Sequence, residues 1–158
     1  MLRITRESDY GLVLLTRMAG QPDTIHSVSE LAAGTRLSVP MVSKVLKLLT
    51  RGGVVKSQRG PLGGYGLSRP PNRITVADII AAVEGPVALT LCSSHSAMEC
   101  QHEDGCPTRP NWQRINCAVQ HALKQITLED MRSPLPASFI PLDSLFVGSQ
   151  VSYPIGGT

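Results

Sequence analysis

Between Ser27 and Gly53 the chain reads SVSELAAGTRLSVPMVSKVLKLLTRGG, two short helical patterns with room for only a tight turn between them. This stretch constrains the fold more than any other. In the first pattern Ser29 is positioned to cap a helix through Leu31, Ala32 and Ala33, and Gly34 to break it. In the second, Ser38 caps the helix and Pro40 falls in its first turn, where a missing N–H costs nothing. Val42, Val45, Leu46 and Leu49 then repeat at helical spacing, so one face turns toward a core. Pro40, Met41, Ser43, Lys44 and Lys47 fall on the opposite face, and Gly52 and Gly53 stop the helix. Two helices joined this way, the second polar and basic on its outer side, predict a helix-turn-helix.

The next segment, VVKSQRGPLGGYGLSRP, predicts a hairpin. Val54–Ser57 and Tyr65–Ser68 are strand-like, and RGPLGG between them supplies the turn. A hairpin after a helix-turn-helix is a wing, here with Arg59 at its tip. Two helices flank the motif. The first, in ITRESDYGLVLLTRMAG, is capped by Ser8, carries a stripe of Leu12, Leu15, Met18 and Ala19, and ends at Gly20. The second starts at the Thr75-x-x-Asp78 capping pattern and turns Val76, Ile79, Ile80 and Val83 inward. The fold expected is mainly α, a winged helix-turn-helix.

A charge run is usually no more than a solvated face. Here the charges coincide with the outer side of a recognition helix and the tip of a wing. The first 73 residues hold eleven Lys and Arg against four Asp and Glu, although the whole chain carries only +3. Double-stranded DNA is therefore the expected partner, met by Ser38, Pro40, Met41, Ser43, Lys44, Lys47, Arg51 and Arg59. The helix suits the major groove and the wing arginine the narrower minor groove. Arg36 and Lys56 are expected on phosphates.

Cys92, Cys100 and Cys106 lie within fifteen residues, in LCSSHSAMECQHEDGCPTRP. Buried structural cysteines usually sit in apolar elements. These sit among Ser, His, Glu, Asp, Gly and Pro, where a loop can fold back and bring thiolates to one centre. The intervening seven and five residues are not the two-residue knuckles of structural zinc. The chemistry points to a metal or an iron–sulfur cluster, with zinc, redox thiols and a single disulfide as alternatives. His95 and His102 fall inside this loop. Cys117, farther on, is expected as a small buried interface residue, and His121 at the surface. No Gly-rich phosphate loop, nucleophile elbow or HExxH is present, so the chain is not read as an enzyme. The apolar run Leu12–Leu15 is too short for a signal sequence or a membrane span, and a cytoplasmic protein without a membrane partner is expected.

After an Asn111 cap, WQRINCAVQHALKQITLEDM places Trp112, Ile115, Val119, Leu123 and Ile126 on one helical stripe. Nothing left in the chain is clearly large enough to cover that stripe, so the helix is read as the contact of a homodimer, with folding back onto its own domain as the alternative. The organisation expected is a DNA-binding domain over 1–85, a cysteine loop over 86–110, a dimerisation helix over 111–131 and a Pro-rich tail over 132–158.

The segment from Ser27 to Gly85, above all RGPLGGY, resembles the iron–sulfur-cluster winged-helix transcriptional regulators, a family with IscR and NsrR types. With LRITRESDYGLVLL, the three cysteines and WQRIN, the resemblance covers about residues 1–131. The opening DYG, EGPVALT and WQRIN are most similar to the regulators of the SUF cluster-assembly system. The resemblance implies a homodimer on a pseudo-palindromic operator, a 2Fe–2S or 4Fe–4S cluster on Cys92, Cys100 and Cys106, and control of iron–sulfur assembly genes in response to cluster, redox or nitric oxide status. In the IscR-type pattern a histidine follows the third cysteine by three residues. This chain has Arg109 there, which cannot ligate. The NsrR-type pattern uses an aspartate of the partner's first helix, and Asp9 falls at the matching place, with Glu7 as the fallback. A regulator built on zinc or bare thiols, and an electron-transfer protein, are the competing readings.

Overall fold

The computed structural model describes residues 4–60, 63–90, 93 and 106–133. Five helices are described: α1 (Arg6–Ala19), α2 (Val28–Thr35), α3 (Val39–Arg51), α4 (Val76–Glu84) and α5 (Arg109–Gln125). Two strands, β1 (Val55–Gln58) and β2 (Gly64–Leu67), form an antiparallel hairpin between α3 and α4, paired from Val55↔Leu67 to Gln58↔Gly64. This is the expected winged helix-turn-helix, with each strand within one residue of its expected bounds.

Among the described residues the buried apolar side chains form one cluster. Leu14, Leu15 and Met18 of α1, Leu31 of α2, and Val42, Val45, Leu46 and Leu49 of α3 are buried in it, with Val54, Val55 and Leu67 of the wing and Ile79 of α4. The four α3 positions are the ones its periodicity predicts. On α1 the buried stripe runs through Leu14 and Leu15, and Leu12 is only half-buried.

Several caps differ from expectation, for a local reason. α1 is capped by Thr5, whose hydroxyl accepts the Ser8 N–H, and Ser8 is instead a buried residue of the first turn. α2 is capped by Ser27, not Ser29. Ser27 has Glu30 three residues on, and the two close a reciprocal capping box, whereas Ser29 would meet only Ala32. Gly34 lies inside α2. The turn into α3 is made by Arg36 in the left-handed region at φ 59°. Ser38 does stand at the N-cap of α3, with no capping hydrogen bond from its side chain.

The wing is anchored on the loop before α2. The His26 N–H donates to the Tyr65 carbonyl at 2.8 Å and the Tyr65 N–H to the His26 carbonyl at 2.9 Å. A β-carbon at Gly64 would run into the His26 carbonyl, so the close approach requires glycine.

α5 starts at Arg109 rather than after Asn111, with Pro110 in its first turn, and ends at Gln125, well short of Met131. Ile126 therefore does not continue the helical stripe. The chain turns back because its backbone finds partners there. The Val76 N–H donates to the Ile126 carbonyl at 2.9 Å and the Leu128 N–H to the Ile74 carbonyl at 2.8 Å. Asp130 closes the turn by accepting the Thr127 N–H and hydroxyl at 2.8 and 2.6 Å. Leu128, fully buried, joins the core of the winged domain, a burial that contributes about 1.5–3 kcal/mol.

Candidate nucleic-acid interface and cysteine site

The outer side of α3 carries what the sequence places there. Ser38, Pro40, Lys44, Lys47 and Arg51 are exposed, Ser43 is half-buried, and Met41 is half-buried with part of its side chain against the core. Four core side chains on the opposite face prevent the helix from rolling, so this polar side is presented as a fixed surface. Its thirteen residues extend about 20 Å, and the major groove that such a helix enters is about 12 Å wide. Arg59 follows β1 directly and is exposed, as are Arg36 and Lys56.

The α3 cations are not equivalent. The Lys44 ammonium donates to the Glu7 carboxylate at 2.8 Å. Among the described residues, Lys47, Arg51 and Arg59 carry no ion pair. The Lys44 hydrogen bond and charge hold the Glu7 carboxyl below its ordinary value. Glu7, the fallback ligand expected from the sequence, is thus engaged by α3. Sequence spacing offers no signal for this contact, because the pair is 37 residues apart.

A second contact joins the start of α1 to the end of α4. The Glu84 carboxylate accepts the Thr5 hydroxyl at 2.8 Å, the Thr5 N–H at 3.2 Å and the Ser8 hydroxyl. Glu84 is exposed overall; partial desolvation pulls its carboxyl upward, and these donors together outweigh it and leave the group below its ordinary value. Asp9, next to Ser8, is exposed in the first turn of α1.

Of the three loop cysteines only Cys106 lies within the described residues; Cys92, Cys100, His95 and His102 lie outside them. Cys106 is half-buried just before α5, and its sulfur lies 3.3 Å from the Thr108 hydroxyl. That hydroxyl, the Thr108 N–H and, more weakly, the Arg109 N–H and charge hold the thiol below its ordinary value. The thiolate is the form that ligates iron, so this donor suits the cluster that the loop's composition suggests. Among the described residues no three His, Cys, Asp or Glu side chains converge on a metal position.

Other sequence expectations fall as follows. Cys117 is exposed on α5, not buried, in the single chain. His121 is exposed, its ring nitrogen 3.4 Å from the Gln125 amide. His26, to which spacing assigns no role, is buried where it ties the wing down. Along α5, Trp112 and Ile115 are exposed while Val119 and Leu123 line an apolar groove of about 470 Å³ with Ile4, Ile80 and Val87. Among the described residues no helix is long and apolar enough to cross a membrane.

Comparison with known proteins adds the following. The pattern of the Rrf2 family, described as iron-dependent transcriptional regulator, matches residues 4–134. The HTH-type transcriptional regulator CymR of Bacillus subtilis is 33% identical over 135 residues, spanning 84% of this chain and 91% of that protein. The solved structure of CymR, the global cysteine regulator of B. subtilis, superimposes with a TM-score of 0.66 at 32% identity, covering 84% of this chain and 97% of that one. The structure of IscR from T. potens superimposes with a TM-score of 0.61 at 28% identity, covering 82% and 85%. These relatives are named as regulators, not enzymes.

Proposed function

We propose, from the premise that the chain belongs to the Rrf2 family of winged-helix transcriptional regulators, that it works as a homodimer on a pseudo-palindromic operator and reads the state of an iron–sulfur cluster. The observation that carries the DNA reading is the partition of α3. Val42, Val45, Leu46 and Leu49 are sealed in the core while Ser38, Pro40, Lys44, Lys47 and Arg51 face outward beside the wing. Lys47 and Arg51, free of internal partners among the described residues, supply phosphate charge, and Arg59 reaches the minor groove. Two-fold symmetry of the dimer matches two operator half-sites.

Cys92, Cys100 and Cys106 are the thiolates that would hold the cluster, and Asp9 of the partner subunit would complete the set. The support is the Cys106 thiol, already biased toward its ligating form, and the exposed Asp9 at the start of α1. When bound, the group supplies a redox-reactive iron centre. A carboxylate is a harder donor than thiolate, so an Asp9 corner is the exchangeable one, which suits a sensor. The genes governed are those of iron–sulfur assembly, by resemblance. A regulator using zinc or bare thiols is the competing reading.

Anaerobic purification tests this. Cys92→Ala, Cys100→Ala and Cys106→Ala are each expected to abolish the broad visible absorption of thiolate-bound iron. Asp9→Ala is expected to keep a cluster that is less stable to air or altered in spectrum. His102→Ala is the control. A normal cluster in Asp9→Ala with loss in His102→Ala would move the fourth ligand into the loop, and a colourless wild-type protein with stoichiometric zinc would replace the cluster altogether.

A further inference from the structure

Lys44 is the exception among the outward cations of α3. Its ammonium is spent on Glu7 of α1, at 2.8 Å, on the side of the helix that faces DNA. We infer that Glu7 sets the affinity of this protein for DNA by competing with a backbone phosphate for the Lys44 ammonium. The inference rests on the reading of α3 as a recognition helix and adds a residue outside that helix.

Three observations support it. The pair is asymmetric: the Lys44 side chain is 59% exposed and Glu7 29%, so the carboxylate is the more fixed partner and the lysine the one able to leave. Next, the turn that carries Glu7 is held in place from another direction. Thr5 and Ser8, on either side of it, both donate to Glu84 at the end of α4. Glu7 therefore cannot drift away from α3 without breaking that set. Lastly, a lysine ammonium is a compact charge that pairs with either oxyanion, with no planar fork to prefer one.

DNA approaching α3 meets Lys47, Arg51 and Arg59, which carry no ion pair among the described residues, and Glu7–Lys44 as a nearly neutral pair. Non-specific binding is almost wholly phosphate electrostatics. Glu7 thus lowers the attraction of the recognition helix to any duplex, leaving sequence contacts to make up the difference.

The test uses the full-length protein, a random-sequence duplex and fluorescence anisotropy at about 0.15 M salt, where charges beyond ~8 Å are largely screened. Wild type, Glu7→Gln, Lys44→Ala and the double variant are compared, with thermal melts to check folding. Glu7→Gln is expected to tighten binding about two- to five-fold, the range an exposed ion pair can supply. In the Lys44→Ala background the same substitution is expected to have little effect. Glu7→Ala should act in the same direction as Glu7→Gln. Equal gains in both backgrounds would show simple repulsion of DNA by Glu7 and overturn the inference, as would no gain at all. A wild-type protein that binds no duplex would instead overturn the recognition-helix reading beneath it.

Discussion

The Asn116 side-chain carbonyl accepts the Leu89 N–H at 3.1 Å from a position on α5 that is only 5% exposed. One turn on, the Gln120 amide donates to the Val87 carbonyl at 2.8 Å. The chain entering the cysteine segment is thereby clipped to the helix that Cys106 precedes, so both ends of that segment are held on α5. Asn116→Ala is expected to destabilise the protein by roughly 1–3 kcal/mol, because the Leu89 N–H loses its acceptor in a partly buried place. Urea denaturation checks this, and a midpoint unchanged from wild type would contradict it.

Gly52→Ala is a second expected loss. A β-carbon at Gly52 would collide with the Cβ and Cα of Ala82, so α3 ends against α4 only because that atom is missing. Forcing the two apart is expected to cost about 1–3 kcal/mol. A thermal melt equal to wild type's would show that the approach is looser than described.

How far the sequence could be read follows from which interactions are local. The α3 partition was legible because a single apolar stripe repeats at helical spacing, and the wing because RGPLGG sits between two strand-like runs. The family was legible in RGPLGGY. The cap of α2 falls two residues before the serine that spacing favours, because Ser27 has a reciprocal partner in Glu30 and Ser29 has none. The end of α5 was not legible, since Ile126–Leu128 leave the helix to pair with Ile74 and Val76, far away in sequence. The same holds on the outer side of α3. Lys44 could be placed on the outer side of α3 by counting, but its Glu7 partner could not, nor could the hold of Glu84 on Thr5 and Ser8. Cys92 and Cys100 lie outside the described residues.

Stability is expected to fall on acidification in part through Glu84 and Asp130. Glu84, an exposed residue, lies below a glutamate's ordinary 4.5 despite partial desolvation of its carboxyl, because of the Ser8 and Thr5 donors. The Thr127 hydroxyl and N–H hold Asp130 below an aspartate's ordinary 3.8. Unfolding returns both groups to their ordinary values, so as pH falls the unfolded chain takes up protons first. Their contribution is complete above the unfolded values and is lost as pH falls through the depressed folded ones. The stability gap between wild type and the Glu84→Gln, Asp130→Asn double variant should therefore shrink from about pH 6 to about pH 3. A gap that widens toward acid would contradict the hydrogen-bond assignments.

The apolar residues of α5 lead to a prediction about assembly. Trp112 and Ile115 are 40% and 46% exposed, and Val119 and Leu123 line the adjoining groove. Glu at both Ile115 and Val119 is expected to yield a folded monomer in sedimentation equilibrium, with the wild type dimeric. Dimers that persist in the double variant would place the interface on another face.

Operator affinity measured with and without bound iron separates a regulator that reads a cluster from one that does not. Protein purified without oxygen is divided, one half is stripped of iron by a chelator, and both are titrated against the same promoter fragments at one salt concentration. The untreated half is expected to be coloured, stripping to remove the colour, and affinity for at least one fragment to change by about five-fold or more, the lower range of allosteric coupling. Colourless protein, or equal affinities in the two halves on every fragment, would contradict it.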